Sequence, residues 1–237
     1  TSRALFYVGY HVKNGAYSRS HYDTFMSEAR LTSYYAAATR TVSRSHYFQP
    51  SRRVIGGFGR RGIASWSGTA FEYFMPSLLL PTVKRSATDF ALSYAYRAQR
   101  KHAAQKTVLG KKHCVFGVSE SAYFAFDGDM RYQYRAFGTE SLALDPMART
   151  EKVISPYSSF LMLEADPERM VENLEELETL GMYGKYGFFE ALDLAPSRVG
   201  EGYARIQSFM AHHLGMSIVS ATNLLHDGVF RKRFLKN

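Results

Sequence analysis

Tyr22, Phe25, Met26, Ala29, Ser33 and Ala36 recur every three or four residues, the spacing of one helix face, and predict a helix from Tyr22 to about Thr39. Glu28 falls at the edge of that face. Glycines at 56, 57, 59 and 62 break any period between Val54 and Ser65, which predicts a hairpin or an irregular loop. A helical turn over Thr69 to Phe74 ends at Met75-Pro76, and a longer helix is expected from Thr88 to Gln105. Between Gly117 and Phe137, aromatic residues are scattered among turn formers, so this stretch reads as mainly loop with short extended pieces. Ser155-Pro156 opens a helix through Leu163, because proline is well tolerated at the first helical position. Asp166 as N-cap and Pro167 in the first turn begin another, with Met170, Val171, Leu174 and Leu177 facing inward and Gly181 as its stop. The last long helix spans about Tyr203 to Leu225 and stops at Asp227-Gly228. The strong periods are helical and the strands marginal, so a mostly α fold with long, aromatic-rich loops is predicted.

With 237 residues, 46% of them hydrophobic, the chain can bury one large core. No apolar run nears the roughly 20 residues of a membrane helix; the nearest, Phe74 to Pro81, contains two prolines. The lone Cys114 rules out an internal disulfide and fits a reducing compartment, so a cytoplasmic location is expected. Thr1 to Tyr7 offer neither an initiator Met nor a signal-peptide core, so the chain is expected to begin inside a longer protein. The net charge of +9 raises nucleic acid or acidic lipid as partners. Yet the basic clusters at Arg40 to Arg61, Arg97 to Lys112 and Arg231 to Lys236 match no nucleic-acid motif, and Arg97 to Lys101 read as a solvated helix face. Nucleic acid is therefore not expected as a partner.

Metal, nucleotide and serine-hydrolase chemistry lack their sequence signatures. No cysteine pair, His-x-x-x-His word or Asp-rich calcium loop occurs, so no metal is expected. Gly56 to Gly62 has neither phosphate-binding pattern, and no cofactor is expected. In Gly117-Val118-Ser119-Glu120-Ser121 a glutamate stands where a nucleophile elbow would have serine. What remains is four glutamates, Glu28, Glu72, Glu120 and Glu190, each in a short word with few charges and aromatic neighbours. Carboxylates beside apolar rings are expensive to bury. Glycosidic cleavage needs two carboxyl groups, one to protonate the leaving oxygen and one to act as nucleophile or as base for water. Three also have a structural reading, and Glu120 has a less obvious one: Glu72 lies at capping-box spacing from Thr69, Glu28 can be an ordinary helix residue, and Glu190 can be a buried hydrogen-bonded carboxyl. His212 and His213 can simply be packed.

Taken in order, seven stretches resemble the glycoamylase-like domain of cyclic β-1,2-glucan synthases and related bacterial β-1,2-glucan-acting enzymes. They are YDTFMSEARLTS (Tyr22 to Ser33), SWSGTAFEYFMP (Ser65 to Pro76), GVSESAY (Gly117 to Tyr123), YQYRAFG (Tyr132 to Gly138), VISPY (Val153 to Tyr157), GKYGFFEALD (Gly184 to Asp193) and SFMAHHLGM (Ser208 to Met216). The chain departs from the family's words at Leu214, where His-His-Gln-Gly is usual, and at His46 to Pro50, where the family commonly has His-Trp-Phe-Arg-Leu.

The resemblance implies the later part of an (α/α)6 six-hairpin toroid and a single carbohydrate-active domain over 1–237. It also implies endo-hydrolysis or cyclising transglycosylation of β-1,2-glucan. The expected partners are a β-glucan and neighbouring domains of a larger chain, with a domain of an inner-membrane protein as the alternative to a freely cytoplasmic one. Glu28 and Glu120 are expected as the catalytic pair. Arg30, Trp66, Glu72, Tyr134, Arg135, Tyr186, Glu190 and His212 are expected to line the sugar sites, with all four glutamates facing one cleft. The alternative is a non-catalytic glucan-binding or scaffold module.

Overall fold

The computed structural model describes residues 4–57, 59–108 and 111–236. A short hairpin, β1 (Tyr10–His11) and β2 (Ala16–Tyr17), precedes helix α1 (Ala29–Ala38), and a second hairpin pairs β3 (Val54–Gly57) with β4 (Arg60–Ile63). Helices α2 (Ala70–Phe74) and α3 (Ala87–Lys101) follow. Two more hairpins then join β5 (Ala104–Val108) to β6 (Lys111–Val115) and β7 (Glu120–Phe126) to β8 (Tyr132–Ala136). Strand β9 (Val153–Ile154) leads into α4 (Pro156–Leu161) and α5 (Pro167–Thr179), and β10 (Tyr183–Gly184) pairs with β11 (Gly187–Phe188). Strand β12 (Ala191–Asp193), helix α6 (Pro196–Val199) and strand β13 (Ala204–Ile206) come next, then α7 (Ala211–Leu225) and α8 (Val229–Lys236). The only sheet of more than two strands among the described residues has the order β13-β12-β9.

The expected six-hairpin helical toroid is not what forms. Among the described residues thirteen short strands lie in six separate, open sheets, and no toroid or barrel of helical hairpins is present. The reason lies in the aromatic segments between the helices. From Glu120 to Ala136 side chains alternate across a hairpin, with Asp127 accepting from the Asp129 and Arg131 amides at the turn and Met130 in the left-handed region at φ 60°. Likewise the helix expected to reach Gln105 ends at Lys101, because Ala104 to Val108 pair with β6 instead.

Two other helices are shorter than their periodicity suggests. Residues 22–27 form no helix, held by parallel bridges from Thr24 to Ser51 and from Met26 to Ser65, so Glu28 heads α1 instead of lying inside it. Residues 204–206 pair with β12, and the last long helix begins only at Ala211. Asp166 caps α5 as expected, accepting the Arg169 amide, and Gly181 follows that helix at φ +74°. Val171, expected inside, is 47% exposed.

Among the described residues burial divides the interior into two clusters. The first gathers Phe25, Met26, Tyr73 and Phe74 with Tyr94 and Ala98 of α3 and Tyr157 and Leu161 of α4. The second packs Val118, Ala122 and Phe137 of the β7–β8 region against Ile154, Leu192 and Ile206 of the three-stranded sheet and Leu177 of α5. Helix α3 lies close on β4 because Gly62 has no side chain: a Cβ there would come within 2.7 Å of the Tyr94 ring. Tyr157 links the clusters, its hydroxyl lying 2.7 Å from Ser119 Oγ and 2.9 Å from the Glu120 carbonyl oxygen. No helix among the described residues is long and apolar enough to cross a membrane.

Candidate active site

Glu28 stands at the entrance to α1. Its carboxylate accepts a bond of 3.0 Å from the Ser27 hydroxyl, which in turn accepts the Ala29 amide at 3.1 Å and so does the capping that Glu28 does not. Burial, then Glu28, then Glu120 hold the Tyr22 hydroxyl above its usual pKa, so Tyr22 stands beside both carboxylates.

Glu120 opens strand β7. It is half-buried, and among the described residues no hydrogen bond reaches its carboxylate. Desolvation pushes its pKa up to about 7, with the nearby charges of Glu28 and Glu72 adding to the rise. A carboxyl in that state is protonated for much of the time near neutrality, whereas an ordinary one is not.

Glu72 is committed to its own turn. The capping box over Thr69 forms, and Glu72 Oε2 also accepts from Ser65 Oγ at 2.9 Å and from the Thr69 amide at 3.0 Å. The Ser67 amide donates to both of its oxygens. Burial raises its pKa against the opposing pull of these bonds. The 65–69 loop is pressed against 138–139: a Cβ on Gly138 would lie 1.7 Å from the Ser67 carbonyl oxygen.

Glu190 lies just before β12 and is buried. It faces His213, whose Nδ1 is 3.0 Å from each carboxylate oxygen, and it also accepts the Ala122 amide at 3.3 Å. The far nitrogen of that ring, Nε2, is 3.3 Å from the Tyr134 hydroxyl. Tyr157 stacks on His213 with ring centroids 3.7 Å apart and planes 10° from parallel. Desolvation, then Glu120, then Glu190 drive the Tyr134 hydroxyl well above its usual pKa, so Tyr134 feels both carboxylates.

The β7–β8 register separates the other expected site residues. Glu120 opposes Ala136 and Ala122 opposes Tyr134, so Glu120 and Tyr134 share one face of the hairpin. Arg135, paired with Ser121, falls on the other face, where its guanidinium lies 5.4 Å from the Tyr123 ring centroid. Arg30 is buried away from the carboxylates, donating to Met26 Sδ and to the Tyr73 carbonyl, and desolvation lowers its pKa to about 10. Trp66 is 54% exposed on the loop that carries Ser67. Tyr186 is exposed in the β10–β11 turn and lines, with Phe209, Tyr157, Glu190 and His213, an aromatic cavity of about 390 Å³. His212 is exposed with its ring 6.5 Å from Tyr134, and burial and His213 lower its pKa.

Sequence reasoning chose His212 and passed over His213, Tyr157, Tyr22 and Ser27. Both histidines lie in one word, and only the phase of α7 decides which turns inward. The family word VISPY carried Tyr157, but nothing local announced its contact with Glu120. Among the described residues no three His, Cys, Asp or Glu side chains are grouped as a metal site.

A family model described as "Putative glucoamylase" matches residues 20–237. Among curated proteins, the cyclic beta-(1,2)-glucan synthase NdvB of Rhizobium meliloti (strain 1021) is 34% identical over 234 residues; the match covers 98% of this chain and only 8% of that protein. Among solved structures, a "putative glucoamylase" of Bacteroides uniformis matches with a TM-score of 0.67 at 18% identity, over 98% of this chain and 56% of that one. The endo-beta-1,2-glucanase of Chitinophaga pinensis, solved with sophorotriose and glucose, matches with a TM-score of 0.60 at 14% identity, again over 98% and 56%. The chain thus spans little more than half of these solved structures and a small part of the synthase.

Proposed function

This chain belongs to the glycoamylase family, described as "Putative glucoamylase", and from that premise we propose that it cleaves or transfers β-1,2-glucan chains with Glu28 and Glu120 as its paired carboxyl groups. The linkage comes from the likeness to the glucan synthase and to the β-1,2-glucanase. The chemistry comes from the site. Glu120 is the general acid, because desolvation and two neighbouring carboxylates keep it protonated near neutrality. Glu28, whose carboxyl accepts the Ser27 hydroxyl, is the partner that acts as nucleophile or activates water. The observation that carries this reading is the half-buried Glu120 carboxyl, which no hydrogen bond reaches among the described residues and whose pKa burial and the charge of Glu28 raise.

Around the pair, Trp66 and Tyr186 offer exposed ring faces on which sugars pack, and Tyr134 and His212 offer hydrogen-bonding groups. Glu72 tunes Glu120 through its charge. Glu190 acts through His213, and Arg30 and Arg135 support the walls. The chain acts as one domain of a longer protein, as its small share of the synthase supports.

The test is to make Glu28→Gln and Glu120→Gln in the full-length protein and to assay linear β-1,2-glucan. Each variant is expected to lose at least about a hundredfold in turnover. Near-normal turnover in either removes that residue from the pair. Glucan binding with no product from the unmodified protein would favour the non-catalytic module.

A further inference from the structure

His213 is the one buried imidazole that joins two groups of the site, and its surroundings fix it from three sides. Its Nδ1 edge faces the buried Glu190 carboxylate at 3.0 Å, its face is covered by Tyr157 at 3.7 Å, and its Nε2 edge meets Tyr134 at 3.3 Å. In the neutral ring a carboxylate at Nδ1 selects the tautomer with its proton there, which leaves Nε2 as an acceptor. The Tyr134 hydroxyl then donates to Nε2, and its oxygen lone pairs turn outward. Tyr134 is 42% exposed and shares a strand face with Glu120, so those lone pairs look toward the surface that carries the acid. Tyr157 ties the arrangement to the same place through the Glu120 carbonyl.

We propose that His213, oriented by Glu190 and clamped by Tyr157, is a positioning residue that fixes the Tyr134 hydroxyl as the acceptor for a sugar hydroxyl of the bound glucan next to Glu120. This rests on the glucan-acting reading given above. It assigns Glu190 an indirect role, since both carboxylate oxygens are taken up by His213 and the Ala122 amide. It also separates the two adjacent histidines: His213 sets the donor direction behind Tyr134, and His212 stays on the exposed side.

The test is a double-mutant cycle in the full-length protein with linear β-1,2-glucan. Tyr134→Phe removes only the hydroxyl, and His213→Asn keeps an amide toward Glu190 while deleting the Nε2 acceptor. Each is expected to lower kcat/KM about tenfold, the worth of one hydrogen bond. The double variant is expected to lose about tenfold as well, because both changes break one link. His213→Gln, whose amide reaches the Nε2 position, is expected to recover most of the loss. A double variant down about a hundredfold, or a His213→Asn variant with normal kcat/KM, overturns the proposal. Should His213→Asn fail to fold, Glu190→Gln takes its place in the cycle. If the unmodified protein neither binds nor processes the glucan, the functional reading fails on its own. The link is then judged by the same cycle in denaturant unfolding, where additive losses overturn it and non-additive losses uphold it.

Discussion

Glu120→Gln should make the protein more stable and less active at once, and the size of the gain follows from the site. In the folded chain the carboxyl is held at about 7, against an ordinary value of 4.5. At about 1.36 kcal/mol per pH unit, ionising Glu120 in place costs about 3 kcal/mol. Because its folded pKa is raised, the penalty is absent below pH 4.5, where the acid is neutral folded and unfolded alike. It grows as pH rises and is complete above about 7. Glutamine never ionises, so the stability difference between variant and parent should be near zero at pH 4 and about 3 kcal/mol in the variant's favour at pH 8.5. Urea unfolding at the two pH values, with turnover measured alongside, reads both effects. A variant equally or less stable than the parent at pH 8.5 would refute the claim that Glu120 is desolvated beside like charges.

Other expectations concern the reaction and the frame around it. If Glu120 is the acid, kcat/KM should fall as pH rises through about 7, and a limb centred near 4.5 would count against the assignment. Gly138→Ala should destabilise by about 3 kcal/mol or more or prevent folding, since its Cβ would meet the Ser67 carbonyl at 1.7 Å; a normal melting temperature would contradict that packing. Arg198 pairs with the fully buried Asp193 at 2.6 Å, so Arg198→Ala should cost about 3 kcal/mol in chemical unfolding by stranding that carboxylate, and a loss below 1 kcal/mol would show it solvated. Trp66→Ala should raise KM for glucan while leaving the melting temperature unchanged, because the ring is 54% exposed.

Local chemistry was legible wherever a helix announces its own start. Thr69 with Glu72, Ser155-Pro156 and Asp166-Pro167 each open a helix where they stand in the sequence. The glycines between Val54 and Ser65 left a hairpin and an irregular loop open, and the β3–β4 hairpin is what forms. Elements that depend on distant partners were not. Tyr22 to Glu28 carry a helical period, yet the Phe25 amide donates to the Ser51 carbonyl 26 positions away, and the helix begins only at Ala29. Ala204 to Ile206 read as helix until their pairing with β12 is known.

The site shows the same division. The words around Glu28 and Glu120 drew attention to themselves because a carboxylate sat among rings. That Glu72 spends its oxygens on Ser65, Ser67 and Thr69 was half visible as a capping spacing. That His213 and not its neighbour turns toward Glu190 depends on the helix beginning at Ala211, a boundary set by contacts outside the word.

The most direct measurement is to incubate the full-length protein with linear β-1,2-glucan and identify every product. The account predicts new chain ends or closed rings, as shortened, elongated or cyclic β-1,2-glucans, formed by the parent and lost in both Glu28→Gln and Glu120→Gln. Glucan recovered unchanged after binding, or products that persist in either variant, would contradict it.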